Sequence, residues 1–158
     1  MAEITMDIVI GQLLGVLKEA FEGPQRWGYF TDDGPDGALF GTLAKLNAEQ
    51  ASRPLGGTSI AAHVYHTTFG LEASTAWING DRTSRNWPDS WRVSTVDETT
   101  WKKMLDEMRT RYVELNKAIE SNASSSVEAF GGAVGAIAHV AYHLGAIRQK
   151  TAFCRIPA

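Results

Sequence analysis

The histidines are the residues of this sequence whose type and spacing best fit a chemical role. The chain has only four, and they form two pairs, His63 with His66 and His139 with His143. Spacings of three and four residues place the members of each pair on one face of a helix, with Cβ atoms about 5–6 Å apart. Neutral imidazole binds zinc, nickel, copper and iron, and helical bundles often hold metals between facing helices. The pattern therefore favours a metal site shared by two helices.

Hydrogen-bonded structural histidines are the alternative explanation for the second pair. His139 and His143 lie in a run, residues 130–147, that contains no charged residue. On a buried helix both imidazoles would have few partners nearby in sequence, and a buried polar group without a partner costs about 1–3 kcal/mol. A bound metal would remove that cost, so we favour metal ligation.

Absent motifs narrow the chemistry further. No histidine has a glutamate three positions before it, as the carboxylate-bridged di-iron centres of helical bundles require. The His139–His143 pair also lacks the adjacent glutamate that serves as general base in His-Glu-x-x-His proteases. Neither a phosphate-binding loop nor a dinucleotide-binding glycine motif occurs. Di-iron, His-Glu-x-x-His protease and nucleotide chemistry therefore have no support.

Composition indicates one globular domain, residues 1–158. A chain of 158 residues buries roughly two-thirds of its unfolded surface, so it needs no metal merely to fold. Its 15 Lys and Arg against 18 Asp and Glu, a net charge of −3, provide no basic surface for nucleic acid. We therefore expect small-molecule partners and no nucleic acid.

The single cysteine and the hydropathy pattern bear on the compartment. Cys154 has no intrachain partner, which excludes a disulfide framework and favours a reducing compartment; we expect it to be an inert residue. Charged residues flank the apolar part of the first 21 residues, which predicts a helix rather than a signal peptide. No stretch approaches the run of about 20 uncharged apolar residues that a membrane span requires. These features predict a cytoplasmic protein without a membrane partner.

The apolar periodicity predicts an all-α protein, a bundle of four long helices with an additional short helix. The first long helix covers residues 4–21, the short one residues 38–51, and the second long one residues 60–78 with Ser59 as N-cap. Residues 95–98 have a capping-box pattern before the third. Its apolar stripe consists of Trp101, Leu105, Met108, Tyr112, Leu115 and Ile119.

A second capping-box pattern, Ser125 to Glu128, precedes the last long helix, which runs to about residue 153. The middle of this helix is apolar or small nearly all round, which predicts a position deep in the bundle. Its four glycines each weaken a helix by up to about 1 kcal/mol relative to alanine. We therefore expect another backbone to approach the helix closely at these glycines.

Together, three segments of the chain resemble the DinB/YfiT-like superfamily, a family of metal-binding four-helix bundles. They are Ser-Ile-Ala-Ala-His-Val-Tyr-His at 59–66, the connection through Trp87 and Trp91, and Ala-His-Val-Ala-Tyr-His-Leu-Gly-Ala-Ile-Arg-Gln at 138–149. The resemblance extends over essentially the whole chain. Its diagnostic content is mainly three histidines and the order of the helices.

The resemblance implies a divalent metal, most often zinc or nickel, on His66, His139 and His143. The family's ligand on the second long helix follows the Ser-Ile start by about two turns, which matches His66 better than His63. His63 then remains an outer partner of the site, a pocket residue or an alternative ligand. The glutamine that the family carries three positions after the last ligand is Ala146 here, which puts any role of that amide in question.

Two functions follow from the resemblance. Some members are thiol-dependent S-transferases or maleylpyruvate isomerases, which implies a low-molecular-weight thiol as second cofactor and a metal-dependent enzyme. Other members have no known activity, which leaves a non-catalytic metal- or ligand-binding stress-response protein as the alternative. Homodimers are frequent in the family, so we expect a homodimer here.

Several residues near the histidines have two interpretations. A polar loop that carries Trp87 and Trp91 either covers one end of the bundle, which we favour, or lines a ligand pocket. Tyr142 is expected to pack rather than to act as an acid. Arg148 either caps the last helical turns, as Gln149 does, or meets an anionic substrate.

Overall fold

The computed structural model describes residues 3–31 and 34–154 and confirms the all-α prediction. These residues form six α-helices, two 3₁₀ turns (Gly34–Gly37 and Trp87–Trp91) and no strand beyond one isolated bridge. The helices are α1 (Met6–Glu22), α2 (Leu39–Leu43), α3 (Ala48–Ser52), α4 (Ile60–Ile78), α5 (Glu98–Asn122) and α6 (Val127–Cys154).

Helix α4 is the central element of the packing. It lies along both α5 and α6, while α1 packs mainly against α6 and the short helices α2 and α3 contact α1 and α4 respectively. The interior between them is apolar and contains Leu17, Phe21, Ile60, Leu71, Met108, Leu115, Ile119, Leu144 and Ile147. Because α4 and α6 are direct neighbours, side chains on their facing surfaces can form one site.

The prediction for α4 is confirmed at both ends. Ser59 accepts a hydrogen bond from the N–H of Ala62 (3.1 Å), as an N-cap does, and its hydroxyl also donates to the carbonyl of Ser94 (2.6 Å). The helix stops at Ile78, and Gly80 follows with a φ of +91°, in the left-handed region that favours glycine. The histidines of α4 are therefore fixed to a helix whose start is anchored.

The two capping-box predictions are wrong by one or two residues. Asp97, not Thr95, caps α5, and the carboxylate of Glu98 instead accepts the N–H of Ala48 (2.9 Å), which links α5 to α3. The hydroxyl of Ser126, rather than that of Ser125, accepts the N–H of Ala129 in the first turn of α6 (3.1 Å). Both errors arise because adjacent polar residues offer equivalent caps in the sequence, whereas packing against the rest of the protein selects one.

The predicted short helix over residues 38–51 is two helices. The side chain of Asn47 caps α3 and forms a capping box with Gln50, so a new helix starts where a single one was expected to continue. The indole of Trp101 donates to the carbonyl of Leu46 (3.1 Å) and satisfies a backbone group at the break. A contact from α5, 55 residues away in the sequence, thus contributes to this interruption.

The expectation that α6 lies deep among the other helices is wrong. One face is buried, through residues such as Val140, Leu144 and Ile147, while Val134 and Tyr142 on the other face are 43% and 72% exposed. Among its glycines, a Cβ would touch a neighbour only at Gly132, which lies against the indole of Trp77. Small and apolar residues make all faces of α6 similar in sequence, but neighbouring helices lie on one side of it.

By length and composition alone, α6 could cross a membrane. An 18-residue window of this helix has a mean hydropathy of 1.3, so the expectation that no stretch approaches a membrane span is not met. The helix also forms part of the helical core through its contacts with α4 and α1. Core helices of soluble proteins pass the same test, so this pattern favours neither environment.

Candidate metal centre

Three imidazoles meet between α4 and α6 through their Nε2 atoms. Nε2 of His139 lies 2.9 Å from Nε2 of His66 and 3.1 Å from Nε2 of His143. The potential ligand atoms of the three residues all lie within 4.8 Å of one another. These are the residues named as ligands from the sequence, and the structure places them close enough to hold one metal ion.

Hydrogen bonding from the 3₁₀ turn fixes the tautomer of His66. The hydroxyl of Ser90, fully buried, donates its single proton to the carbonyl of Trp87 (2.6 Å). Nδ1 of His66 lies 2.6 Å from the same oxygen and must therefore be the donor in that contact. A neutral His66 with its proton on Nδ1 directs the lone pair of Nε2 toward the other two histidines.

His63 lies behind His143 instead of joining the three Nε2 atoms. Its Nδ1 is 2.9 Å from Nδ1 of His143, so one proton is shared between these two nitrogens. When His143 donates that proton, its Nε2 carries a lone pair toward His139. Contacts of this kind commonly orient metal-bound imidazoles.

Burial keeps these imidazoles neutral. It lowers the pKa of His66 to about 4 and that of His143 to about 3, and the neighbouring imidazoles add to both shifts. Burial likewise lowers the pKa of His139, and burial together with the charge of Lys150 lowers the pKa of His63 to about 4. At neutral pH all four rings are in the form that binds a metal.

The donor set fits a divalent ion. The assignments above give His66 and His143 lone pairs at Nε2, and a single proton on Nε2 of His139 could be donated to only one of them. A metal with bonds of about 2.0–2.1 Å would accept all three lone pairs and separate the nitrogens by about 3.3 Å in a tetrahedral site. The observed separations of 2.9 and 3.1 Å are close to that value.

A glycine on α4 makes room for His139. Gly70 is one helical turn after His66, and a Cβ at this position would lie 2.5 Å from Cε1 and 2.8 Å from Nδ1 of His139. No real contact is that short, so any larger residue would displace the imidazole. The size of residue 70 thus controls how closely the α6 histidines approach α4.

The two tryptophans of the 3₁₀ turn cover the histidines. The indole of Trp91 stacks on the ring of His66 (centroids 4.0 Å apart, planes 16° apart), and Trp87 lies beside His66 and His139. Both indoles remain partly exposed, at 40% for Trp91 and 46% for Trp87. They cover the histidine site rather than simply closing an end of the protein.

Two grooves lead to the histidines, and each has one of these indoles in its wall. The first, of about 750 Å³, extends from His139 and Trp87 along Trp77, Arg82 and Arg85. The second, of about 650 Å³, extends from His143 and Trp91 to further residues that include His63, Tyr142 and Lys150. The pocket interpretation of the tryptophans therefore describes the structure better than the coverage that we favoured.

The remaining predicted residues have mixed outcomes. Tyr142 is 72% exposed, and its ring packs only against the edge of His143 (centroids 5.0 Å apart) among the ring contacts of the described residues. Nη1 of Arg148 donates to the carbonyl of Phe30 (3.5 Å). Cys154 is buried, as an inert residue would be.

Sequence reasoning missed three residues of the site, namely Ser90, Gly70 and Lys150. A glycine inside a helix one turn after a histidine is a signal that could have identified Gly70. Nothing in the sequence distinguishes Ser90 from the other serines, because its role depends on how the 3₁₀ turn folds against α4.

Comparison of the chain with protein-family models, with curated proteins and with solved structures finds no match. The resemblance to the DinB/YfiT-like superfamily, with its four-helix bundle, therefore stays a prediction.

Proposed function

We propose that this protein is a metalloprotein of the DinB/YfiT-like kind, a four-helix bundle that holds zinc or nickel on His66, His139 and His143. The observation that carries the proposal is the meeting of three neutral imidazole Nε2 atoms between α4 and α6, with Ser90 holding the proton of His66 on the opposite nitrogen. All-nitrogen donor sets suit both metals.

We further propose that the protein is an enzyme that uses a low-molecular-weight thiol, as an S-transferase or isomerase. When bound, a divalent ion supplies Lewis acidity and an open coordination position suited to a thiol sulfur. The protein residues then have simple tasks: His63 orients His143, Trp91 shields His66 from water, and the two grooves admit small molecules. Two grooves that reach one site suit a reaction with two reactants.

The alternative is a non-catalytic metal- or ligand-binding stress-response protein. A closed site with four protein ligands would favour it, and His63 is the nearest candidate for a fourth. However, Nδ1 of His63 contacts Nδ1 of His143, the nitrogen that faces away from the other ligands. This contact supports an open three-histidine site and hence the enzyme.

Metal analysis of single variants tests the site. The protein is purified without a histidine tag or added metal, its metal content is measured, and its affinity is determined by competition with a chromophoric chelator. Alanine at residue 66, 139 or 143 removes a ligand and should lower the affinity at least 100-fold. His63→Ala and Ser90→Ala remove only orienting contacts and should lower it about 10- to 100-fold.

Two results would contradict this assignment. Loss of metal in His63→Ala but not in His66→Ala would exchange the roles of these histidines. Near-full occupancy in all four histidine variants would eliminate the site.

Cobalt substitution tests the thiol. A small thiol bound at the open position should give a sulfur-to-cobalt charge-transfer band that water and chloride do not give and that His143→Ala abolishes. Bacterial thiols are then screened with maleylpyruvate-like and alkylating electrophiles, and the metal-loaded protein should accelerate at least one pair over the metal-free protein. A cobalt spectrum that no thiol perturbs, with four protein ligands on the metal, would instead establish the non-catalytic alternative.

A further inference from the structure

The second groove, which we call the lysine groove, differs from the first in charge. Lys150 is the only Lys, Arg, Asp or Glu among the lining residues that the structure describes. The first groove contains two arginines but also Asp81 and Glu128. On a chain with a net charge of −3, the lysine groove is thus a local cationic site.

Lys150 has a hydrogen-bond donor to spare in the lysine groove. Its Nζ donates to the backbone carbonyls of Leu55 and Thr58, and an ammonium group has a third proton. That proton is available to an acceptor bound in the groove, which Lys150 lines.

The walls of the lysine groove are aromatic and accessible. Trp91, Tyr142 and Phe153 line it and are 40%, 72% and 61% exposed, so their apolar surface is available to a ligand. Aromatic side chains bind flat, unsaturated molecules by stacking and edge contacts. A volume of about 650 Å³ is in the range of small-molecule sites.

We propose that the lysine groove binds a small arylcarboxylate. The carboxylate accepts a hydrogen bond from Lys150, and the aromatic ring of the ligand contacts the aromatic side chains of the groove. Binding itself requires no metal. The role of this anion as a substrate of the metal centre, which the groove reaches at His63 and His143, rests on the proposed function.

Calorimetry with 2-naphthoate tests the proposal, and 2-naphthamide is the matched neutral ligand. The unmodified protein should bind 2-naphthoate at least ten-fold more tightly than 2-naphthamide, because only the carboxylate carries a charge for Lys150. It should also bind 2-naphthoate more tightly than octanoate, which has the charge without the ring. These comparisons require no variant to fold.

Variants locate the ligand. Lys150→Met and Tyr142→Ala should each weaken 2-naphthoate binding at least five-fold, and Lys150→Arg should restore most of the affinity. Tyr142 is exposed, so its replacement should leave the thermal stability unchanged. Arg85→Met, which removes a cation from the first groove, is the matched control and should bind normally.

Several outcomes would overturn the proposal: equal affinity for the acid and the amide, no binding at millimolar concentration, or a loss of affinity in Arg85→Met but not in Lys150→Met. Measurements on metal-free and metal-loaded protein separate this proposal from the metal site. Binding in both forms supports the groove even if the metal assignment fails. Binding that needs the metal and ignores Lys150→Met would place the anion on the metal and refute the groove assignment.

Discussion

Glu19 and the histidines are both polar groups taken out of water, but the protein satisfies them differently. Glu19 is 4% exposed, and its carboxylate accepts hydrogen bonds from the backbone N–H groups of Tyr29, Phe30 and Thr31 and from the hydroxyl of Thr31, at 2.8–3.1 Å. Every partner comes from the chain itself. This carboxylate holds the segment that follows α1 against the helix.

At the histidines, by contrast, imidazole nitrogens face other imidazole nitrogens. Among the residues that the structure describes, the three Nε2 atoms have only imidazole nitrogens as partners, and the available protons are fewer than the lone pairs. A completed hydrogen-bond network needs no further component, whereas lone pairs that converge in this way favour a bound cation. The comparison indicates that Glu19 serves stability and that the histidines serve binding.

The largest expected effect is on the acid stability of the metal-free protein. Burial lowers the pKa values of the histidines below 6.5, so the unfolded chain takes up protons first as pH falls. Each such proton lowers the free energy of unfolding by about 1.4 kcal/mol per pH unit. We expect stability to fall from about pH 6.5 down to about pH 4, as measured by urea unfolding.

Glu19 should act in a lower pH range. Burial alone would raise its pKa, but the hydrogen bonds from Tyr29, Phe30 and Thr31 outweigh burial and lower the pKa below 4.5. Its contribution is therefore present above about pH 4.5 and is lost as pH falls through the folded pKa.

A double variant separates the two pH ranges. Replacing His139 and His143 with glutamine should reduce the pH dependence of the free energy of unfolding between about pH 6.5 and pH 4 and leave the lower range unchanged. A free energy of unfolding that is constant between pH 7.5 and 5 in the unmodified protein would refute the predicted contribution of the histidines to acid unfolding.

Truncating the Glu19 side chain should cause the next largest loss in the free energy of unfolding. Glu19→Ala leaves three backbone N–H groups without their acceptor, and that of Thr31 is buried. Since a hydrogen bond to a charged group contributes about 1.5–3 kcal/mol, we expect a loss of about 3 kcal/mol or more in the free energy of unfolding. Metal affinity should not change, since Glu19 does not contact the histidines. Gln12→Ala, at an exposed position on the same helix, is the control and should stay within about 0.5 kcal/mol. A loss below 1 kcal/mol in the free energy of unfolding of Glu19→Ala would show that the hydrogen bonds to this carboxylate contribute little to stability.

The smallest predicted changes come from replacing two glycines that both lie within helices, Gly145 and Gly70. Gly145→Ala places a methyl group in open space and should raise the free energy of unfolding by up to about 1 kcal/mol. Gly70→Ala has the same gain in helix propensity, but its methyl group would displace the ring of His139 and should lower metal affinity about ten-fold. Equal metal affinity in the two variants would show that the contact of Gly70 with His139 is unimportant.

Periodicity was enough to predict the long helices, because it records which face of a helix is apolar. The bounds of α4 agree at both ends, and the stripe of α5 is buried at Trp101, Met108, Leu115 and Ile119. It predicted α6 as a helix but not which face of α6 is buried, because small and apolar residues occur on all of its faces. It also failed at residues 38–51, where the side chain of Asn47 starts a new helix.

The ligand type of the site was predictable from the sequence. Imidazoles at spacings of three and four residues on two helices favour one site shared by the two helices over separate hydrogen-bonded histidines. The family resemblance favoured His66 over His63, and the structure places His66 with His139 and His143. The pairing depends on local helix geometry, which the sequence encodes directly, whereas the choice of His66 depended on the resemblance.

The surroundings of those imidazoles depend on how distant parts of the chain pack together. The proton position on His66 depends on Ser90, which lies 24 residues further along the chain, and the charge of the lysine groove depends on Lys150 reaching the loop at Leu55 and Thr58. The partners of buried Glu19 likewise lie in a loop beyond the end of its helix. Such contacts join residues with no periodic relation, so they are set by how the helices and loops pack and not by any pattern along the chain.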